Sequence, residues 1–408
     1  MTVGRRRSPL AIAVVGCGTA GAAAALLLQR QGHDVTLFER VRDPGPVGAG
    51  IMLQPSGLRV LAELGLDGPV LDHGARVARL VSVTRSGRTL LDLAYARLDP
   101  SLFGLGLHRG VLFDTLHDAV RRSPVHLTTG VDVARVSGGP GRRPILFDRD
   151  GRRLGAFDLV LATDGARSTL RGNHALSKEV RPYPWGALWA IREDTESRFH
   201  GRLFQVVHGT RKMIGLLPTG RAPGATVPSV SLFYSVRMDA IPALRDRGLD
   251  AWKDDVRAIC PDAEPVLRTV HGWDELTFAG YFDVTMTRWH ADRVAFLGDA
   301  AHATSPQLGQ GANLALVDAA ELARSVAEDA DLDRALCTYS ERRRAHLGYY
   351  QWATRWLTPF FQSDLSPLGW FRDAFMGPMS KVPYVEREMV RSMVGTKTGL
   401  FFGDLHGL

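Results

Sequence analysis

Six residues, Gly16-Cys17-Gly18-Thr19-Ala20-Gly21, constrain this chain of 408 residues more than any other stretch. They follow a short apolar run, residues 11–15, that suits a buried parallel strand. They lead into an apolar, small-residue segment, residues 19–31, that suits a helix ended by Gly32. Residues 35–39 then read as a second strand, which completes a βαβ unit of the length that a dinucleotide fold needs. Gly16 permits the tight turn, Gly18 lets the backbone approach a pyrophosphate, and Gly21 lets the helix pack closely. The helix N-terminus presents unpaired N–H groups and partial positive charge to the phosphates. Glu39 ends the second strand 18 residues after Gly21, where a carboxylate can bind ribose hydroxyls, and Arg40 beside it is a further cofactor-binding candidate.

The same N-terminus admits a second reading. Arg5-Arg6-Arg7 followed by the apolar run 10–28 has the look of a twin-arginine signal or a membrane span. The three glycines at dinucleotide-loop spacing, and Gln29-Arg30-Gln31 in place of a small-residue cleavage site, favour a folded strand, turn and helix. No other segment is long and apolar enough to cross a bilayer. The net charge of +7 would attract anionic dinucleotides, but no nucleic-acid-binding module accompanies it. The three cysteines, Cys17, Cys260 and Cys337, lie far apart, which points to a reduced, cytoplasmic compartment and to no metal site.

Further along, residues 55–64 and 110–121 read as helices, and residues 77–85 and 89–94 as antiparallel strands. An apolar strand at 157–162 runs into Thr163-Asp164-Gly165, and another at 294–297 runs into Gly298-Asp299. Between them, residues 183–236 are strand-rich with turns at 209–210 and 218–224, the best candidate for a separate sheet domain. Residues 312–329 and 332–357 read as helices. Gly104-Leu105-Gly106 and Gly48-Ala49-Gly50 lack a strand–turn–helix setting and are expected to be loop glycines.

The stretch Gly298-Asp299-Ala300-Ala301-His302-Ala303-Thr304-Ser305-Pro306-Gln307-Leu308-Gly309-Gln310-Gly311-Ala312-Asn313 carries a second chemistry. An acid at the end of an apolar strand can accept hydrogen bonds from a polyol chain. The Gly309-Gln310-Gly311 turn then starts an apolar helix, whose bare N–H groups could face the pyrimidine end of a flavin, where negative charge builds up on reduction.

With Gly16–Gly21 and Glu39, Asp164-Gly165-Ala166-Arg167-Ser168, and Gly298-Asp299 through Asn313 in that order, the chain resembles the class A, single-component FAD-dependent aromatic hydroxylases, of the p-hydroxybenzoate hydroxylase type. The resemblance implies an α/β fold: a Rossmann-like FAD-binding domain with an inserted mixed β-sheet substrate domain and a C-terminal helical segment. The corresponding divisions are 8–75, 101–181 and 281–330 for the FAD-binding parts, 76–100 and 182–280 for the substrate sheet, and 331–408 for the terminal helices. It also implies that Glu39 binds the adenosine ribose, Asp299 the ribityl chain, and the backbone of Gly309, Gln310, Gly311, Ala312 and Asn313 the isoalloxazine. Arg109 would lie near the FAD, Asp164 would serve FAD and the pyridine nucleotide, and Pro306 would line the reaction cavity. His302 is a candidate for proton transfer.

The implied reaction is hydroxylation of an aromatic or polyketide-like small molecule. NADPH or NADH reduces FAD, dioxygen adds as a flavin hydroperoxide, and its distal oxygen passes to the substrate. The same chemistry can give epoxidation, Baeyer–Villiger oxidation or N-oxidation. A flavin halogenase, a prenyl reductase and a non-catalytic flavoprotein are lower alternatives; Trp185-Gly186-Ala187-Leu188-Trp189-Ala190-Ile191 lacks the spacing and the proline of the halogenase motif. The sheet wall offers Trp185, Trp189, Phe204, His208, Met213, Leu217 and Phe233, of which strand alternation admits only half to the cavity side. The aromatic tail, Trp352 to Phe375, is expected to pack on the flavin domain. The expected partners are the small molecule and dioxygen, with no nucleic acid, no stable membrane span, and a monomeric or homodimeric state.

Overall fold

The computed structural model describes residues 8–45, 49–174, 176–399 and 403. Arg5-Arg6-Arg7 and Gly48 fall outside them. Two large sheets organise the fold. The first has six strands in the order His290–Ala291, Val294–Phe296, Leu159–Ala162, Ala11–Val15, Asp34–Glu39, His126–Thr129, all parallel to their neighbours except the first pair. Its strands are near-continuous apolar runs because helices cover both faces, and Ile12, Ala13 and Val14 have no exposed surface. The helix Thr19–Arg30 is built from alanines and leucines, small enough to lie between this sheet and the helix Gly311–Glu328. The apolar run 10–28 is thus strand, turn and buried helix.

The second sheet runs Thr277–Met286, Ser177–Glu193, Pro228–Arg237, Lys212–Arg221, Gly201–His208, Ala75–Thr84, Gly104–His108, Gly50–Leu53, with Thr89–Ala94 paired to Ala75–Thr84. The strands Gly50–Leu53 and Gly104–His108 therefore belong by hydrogen bonding to this sheet, although they lie in stretches assigned above to the FAD-binding parts. The glycines at 50, 104 and 106 are strand glycines, which corrects the loop assignment. The sheet coils so far that Gly106 lies against the Pro218 backbone, where a Cβ would overlap the carbonyl oxygen. Pro218 itself is inside a strand, so the expected turn at 218–224 starts only after Arg221.

Residues 241–268, which periodicity left unassigned, form the short helices Ile241–Asp246, Leu249–Ile259 and Glu264–Arg268. They bury Trp252, Val256 and Leu267 against Leu188, Val206, Leu216, Leu232 and Tyr234, one face of the sheet. Register then sorts the wall candidates. Phe204 and His208 share the parity of Val206 and face these helices. Trp185, Trp189, Met213, Leu217 and Phe233 take the other face, where the Trp189 and Phe233 rings lie 5.4 Å apart.

The helix Leu332–Leu357 matches its expected bounds and leads into Ser366–Ser380 and Pro383–Val394. These last two pack on the strand Thr89–Ala94 and on Tyr95, at the edge of the second sheet, and Ser392 also meets Tyr349 and Tyr350 of the helix Leu332–Leu357. They bury Phe361 yet leave Trp352, Trp356, Trp370, Phe371 and Phe375 exposed, which corrects the packing expected of the tail.

Candidate functional site

Three loops leave the C-terminal ends of three adjacent parallel strands, the position where open α/β sheets bind ligands. Val15 pairs with Ala162, and Ala162 with Phe296, so the turns after them lie side by side. Gly16, at φ +106°, donates its N–H to the Phe38 carbonyl at 2.8 Å and passes so close to the second loop that a Cβ would lie 2.6 Å from the Thr163 carbonyl oxygen. Thr163 Oγ1 donates to the Val15 and Gly16 carbonyls at 2.8 and 2.9 Å, which locks the two turns together. A Cβ on Gly21 would overlap the Gly16 carbonyl oxygen, whereas one on Gly18 would meet nothing within 4 Å. The space over Gly18 fits a pyrophosphate, and no side chain caps the helix that starts there.

Glu39 accepts the Cys17 N–H at 2.8 Å and the Val41 N–H at 2.9 Å, so its carboxylate is held at the rim of the glycine turn with lone pairs to spare. Burial, then the Glu39 charge, pushes the neighbouring Cys17 thiol up to about 12, far from a reactive thiolate. Arg40 and Arg109 are exposed, Arg109 at the start of the helix Arg109–Arg122. Asp164 Oδ2 accepts from the Thr169 and Leu170 N–H groups at 3.0 and 3.4 Å, and burial raises its carboxyl against those bonds. Sequence reading missed Arg171, which is buried and donates to the Ala300 carbonyl at 2.7 Å and the Ala166 carbonyl at 2.8 Å, tying the second loop to the third.

The third loop rests on a buried ionic cluster. Gly298, at φ +58°, donates its N–H to Asp318 Oδ2 at 2.8 Å. His302 Nε2 lies 2.5 Å from that oxygen, and Arg343 Nε donates to Asp318 Oδ1 at 2.7 Å. Burial alone would raise the Asp318 carboxyl, but the His302 and Arg343 charges and these hydrogen bonds hold it at about 2. Arg343 also donates to His346 Nδ1, and His346 Nε2 donates to the Gly395 carbonyl at 2.9 Å. The His302 side chain is only 2% exposed and lies against Asp318, so it braces the turn from beneath. Asp299, by contrast, is exposed, and its carboxylate has no hydrogen bond or ion pair among the described residues.

Pro306 is exposed at the head of a single turn, Pro306–Leu308, and Gly309 follows in the left-handed region at φ +61°. The helix Gly311–Glu328 then begins with no side-chain cap and no acid in its first turn. The N–H groups of Gly311, Ala312 and Asn313 precede the first intrahelical bond, Leu314 N–H to Gln310 carbonyl, and point outward with the helix dipole. The Gln310 and Asn313 side chains turn the other way. Asn313 Oδ1 accepts the Gln54 N–H at 2.8 Å, and its Nδ2 donates to the Met52 and Gly309 carbonyls, both at 3.2 Å. Gln310 Nε2 donates to the Ser392 and Met393 carbonyls, at 3.2 and 2.8 Å. The turn is thereby fixed to the strand Gly50–Leu53, which folds over the face of the second sheet that carries Trp189 and Phe233. Clefts of ≈ 470 and ≈ 500 Å³, lined in part by Arg202 and Arg268 and by His73 and Arg122, lie away from these loops.

His346 gives the cluster an acid limit. Burial first, then the Arg343 charge, keeps its imidazole well below the ordinary value of 6.5, so it stays neutral in the fold. The unfolded chain takes up a proton below about pH 6.5, binds more protons than the native state there, and stability must fall as the pH drops. In His346→Gln, which keeps one acceptor and one donor, the urea midpoint should fall less between pH 7 and pH 5 than in the wild type. An unchanged slope would remove His346 as its source.

The profile of the family described as FAD binding domain matches residues 10–349. Over 327 residues the chain is 34% identical to the 3-amino-4-hydroxybenzoate 2-monooxygenase of Streptomyces cremeus, covering 76% of this chain and 77% of that protein. It is 29% identical to a probable 2-heptyl-3-hydroxy-4(1H)-quinolone synthase of Rhodococcus erythropolis, covering 81% and 83%. Among solved structures, 2-methyl-3-hydroxypyridine-5-carboxylic acid oxygenase shares the fold with a TM-score of 0.76 at 22% identity, over 94% of this chain and 97% of its own.

Proposed function

The chain belongs to the class A FAD-dependent aromatic hydroxylases and is an FAD-dependent monooxygenase, and we propose that it hydroxylates an electron-rich aromatic ring bearing a hydroxyl or amino group. The observation that carries this reading is the anchoring of the 309–313 turn to the strand Gly50–Leu53, which lies over the sheet face that bears Trp189 and Phe233. That face suits a flat apolar molecule; one relative acts, by name, on 3-amino-4-hydroxybenzoate, and the other is named for making a quinolone. When bound, FAD supplies the redox chemistry, accepting a hydride from NADH or NADPH and then activating dioxygen.

The chain's own residues bind, orient and exclude water. Gly18 admits the pyrophosphate, Glu39 takes the adenosine ribose with Arg40 beside it, and Arg109 and Asp164 flank the cofactor. The N–H groups of Gly311, Ala312 and Asn313 lend positive potential to the ring edge that becomes negative on reduction. Pro306 lines the cavity over it. Asp299 holds the ribityl hydroxyls, and His302 and Asp318 position Asp299 through the Gly298 turn.

Anaerobic mixing with NADPH and then NADH, with and without a panel of hydroxy- and aminobenzoates, tests the reading. The flavin absorbance should bleach with at least one nucleotide, and readmitted ¹⁸O₂ should label a ring hydroxyl. A protein that stays yellow under every combination overturns it. Asp299→Ala is expected to weaken FAD binding about tenfold or more, by the loss of charged hydrogen bonds worth about 1.5–3 kcal/mol. Its exposed, unpaired carboxylate predicts little change in the stability of the apoprotein. Wild-type flavin content in the purified variant would sink the assignment.

A further inference from the structure

The helix Ser366–Ser380 is amphipathic in the inverse sense. Its water-facing stripe consists of Trp370, Phe371, Ala374, Phe375, Pro378 and Met379, with Trp370 77% exposed. Its inward side carries the polarity. Arg372 is 1% exposed, pairs with Asp373, and donates to the Gly209 and Phe360 carbonyls at 2.9 and 2.7 Å. Ser380 Oγ donates to the Leu90 carbonyl at 3.3 Å. A helix at a water-washed surface does the opposite. Aromatic contacts extend the stripe: Trp352 stacks on Trp356, which leads through Phe360 to Phe371 and Phe375, the centroids of successive rings 4.6–6.3 Å apart. Isolated exposed hydrophobes need no explanation, but a continuous patch of this kind marks an interaction surface.

Charge selects the occupant. In the segment 366–394, the acids Asp373, Glu386 and Glu388 are each paired with a cation of this chain. Lys381, exposed at the end of the stripe, and Arg387, exposed on the next helix, have no acidic partner among the described residues. The patch is therefore apolar at its centre and uncompensated positive at its margin, on a chain of net charge +7. A second copy of this chain would bring like-charged margins together across a two-fold interface, which opposes association. An anionic bilayer surface asks only for apolar depth, interfacial tryptophan and basic flanks. No helix of the described residues is long and apolar enough to cross a membrane, so the contact is lateral.

We propose that this face docks the FAD-loaded enzyme on the surface of anionic lipid membranes, with Trp370, Phe371 and Phe375 inserted among the headgroups and Lys381 and Arg387 over the lipid phosphates. The proposal does not depend on the substrate. The test is sedimentation of the holoenzyme with vesicles of phosphatidylglycerol and phosphatidylcholine in equal parts, and with phosphatidylcholine alone. The mixed vesicles should carry it down, less so in high salt, and the plain ones poorly. The double variant Trp370→Ser/Phe371→Ser should keep its flavin and its NAD(P)H oxidation while losing about tenfold or more in partitioning. Lys381→Glu/Arg387→Glu should lose binding to the anionic vesicles. Acyl-chain bromination of the phosphatidylcholine in the mixed vesicles should quench wild-type tryptophan emission more than that of Trp370→Phe. The proposal is overturned by a wild type that ignores both vesicle types, by unchanged partitioning of the Trp370→Ser/Phe371→Ser variant, or by a wild-type dimer that this variant dissociates without any vesicle binding.

Discussion

Asp318→Ala is expected to lower the unfolding free energy by about 3–5 kcal/mol, the usual cost of removing one partner from a buried ion pair. The carboxylate accepts from the Gly298 N–H and Arg343 and lies against His302, with no exposed surface of its own. Without it the guanidinium of Arg343, equally enclosed, has no counter-charge, and the Gly298 turn loses its anchor. Asp318→Asn keeps the volume and part of the hydrogen bonding, so its loss should be smaller but still measurable. Urea unfolding of the apoproteins reads both values, and a loss under about 1 kcal/mol for alanine would show that the cluster rearranges around the gap. The pH dependence carries a sign. The native carboxyl sits at about 2 against an ordinary 3.8, so its contribution is complete above pH 3.8 and is lost as the pH falls through about 2. The alanine variant should lack that acid limb.

Gly18→Val should yield a folded protein without cofactor. The backbone at Gly18 is extended, with φ −80° and ψ −173°, which valine adopts without strain, and its Cβ would project into open space. The added methyls would occupy the approach of the pyrophosphate, and flavin content should fall at least about tenfold, or about 1.4 kcal/mol. Gly21→Val is the contrasting control: its Cβ overlaps the Gly16 carbonyl oxygen, so it should fail to fold, not merely to bind. Colour and cooperative unfolding measured on the same two samples separate the cases. A yellow, fully loaded Gly18→Val would refute the placement of the phosphates.

The parts of the molecule legible from sequence are those whose signal is local. The strand, turn and helix from Ala11 to Arg30 are written in consecutive residues, and so is the long helix Leu332–Leu357, bounded by Asp331 at its N-cap and Pro359 beyond its end. What escaped depends on distant partners. Nothing local in the sequence marks Asp318 and Arg343, and only the crossing of their helices buries them against His302. Gly106 looks like a loop residue until coiling brings the Pro218 carbonyl against it. The side of the sheet on which Phe204 and Phe233 fall is a matter of register, invisible without the pairing of Gly215 with Phe233. The tail misled for another reason: aromatic side chains ordinarily mean burial, and here the helix turns them outward while it hides an arginine.

Gln310 donates to the carbonyls of Ser392 and Met393, so the turn that begins the helix Gly311–Glu328 is completed by residues made some eighty positions later. The glycine turn, the Asp164 loop and the Gly298 turn come from segments more than a hundred residues apart, and the clasp on the third comes later still. A growing chain emerges with its first strand and helix long before the neighbours that complete the sheet, and domains take shape as units once their parts exist. The three loops and their clasp therefore come together only after residue 393 has been made, and until residues 311–328 follow, the apolar first helix lacks the helix that covers it.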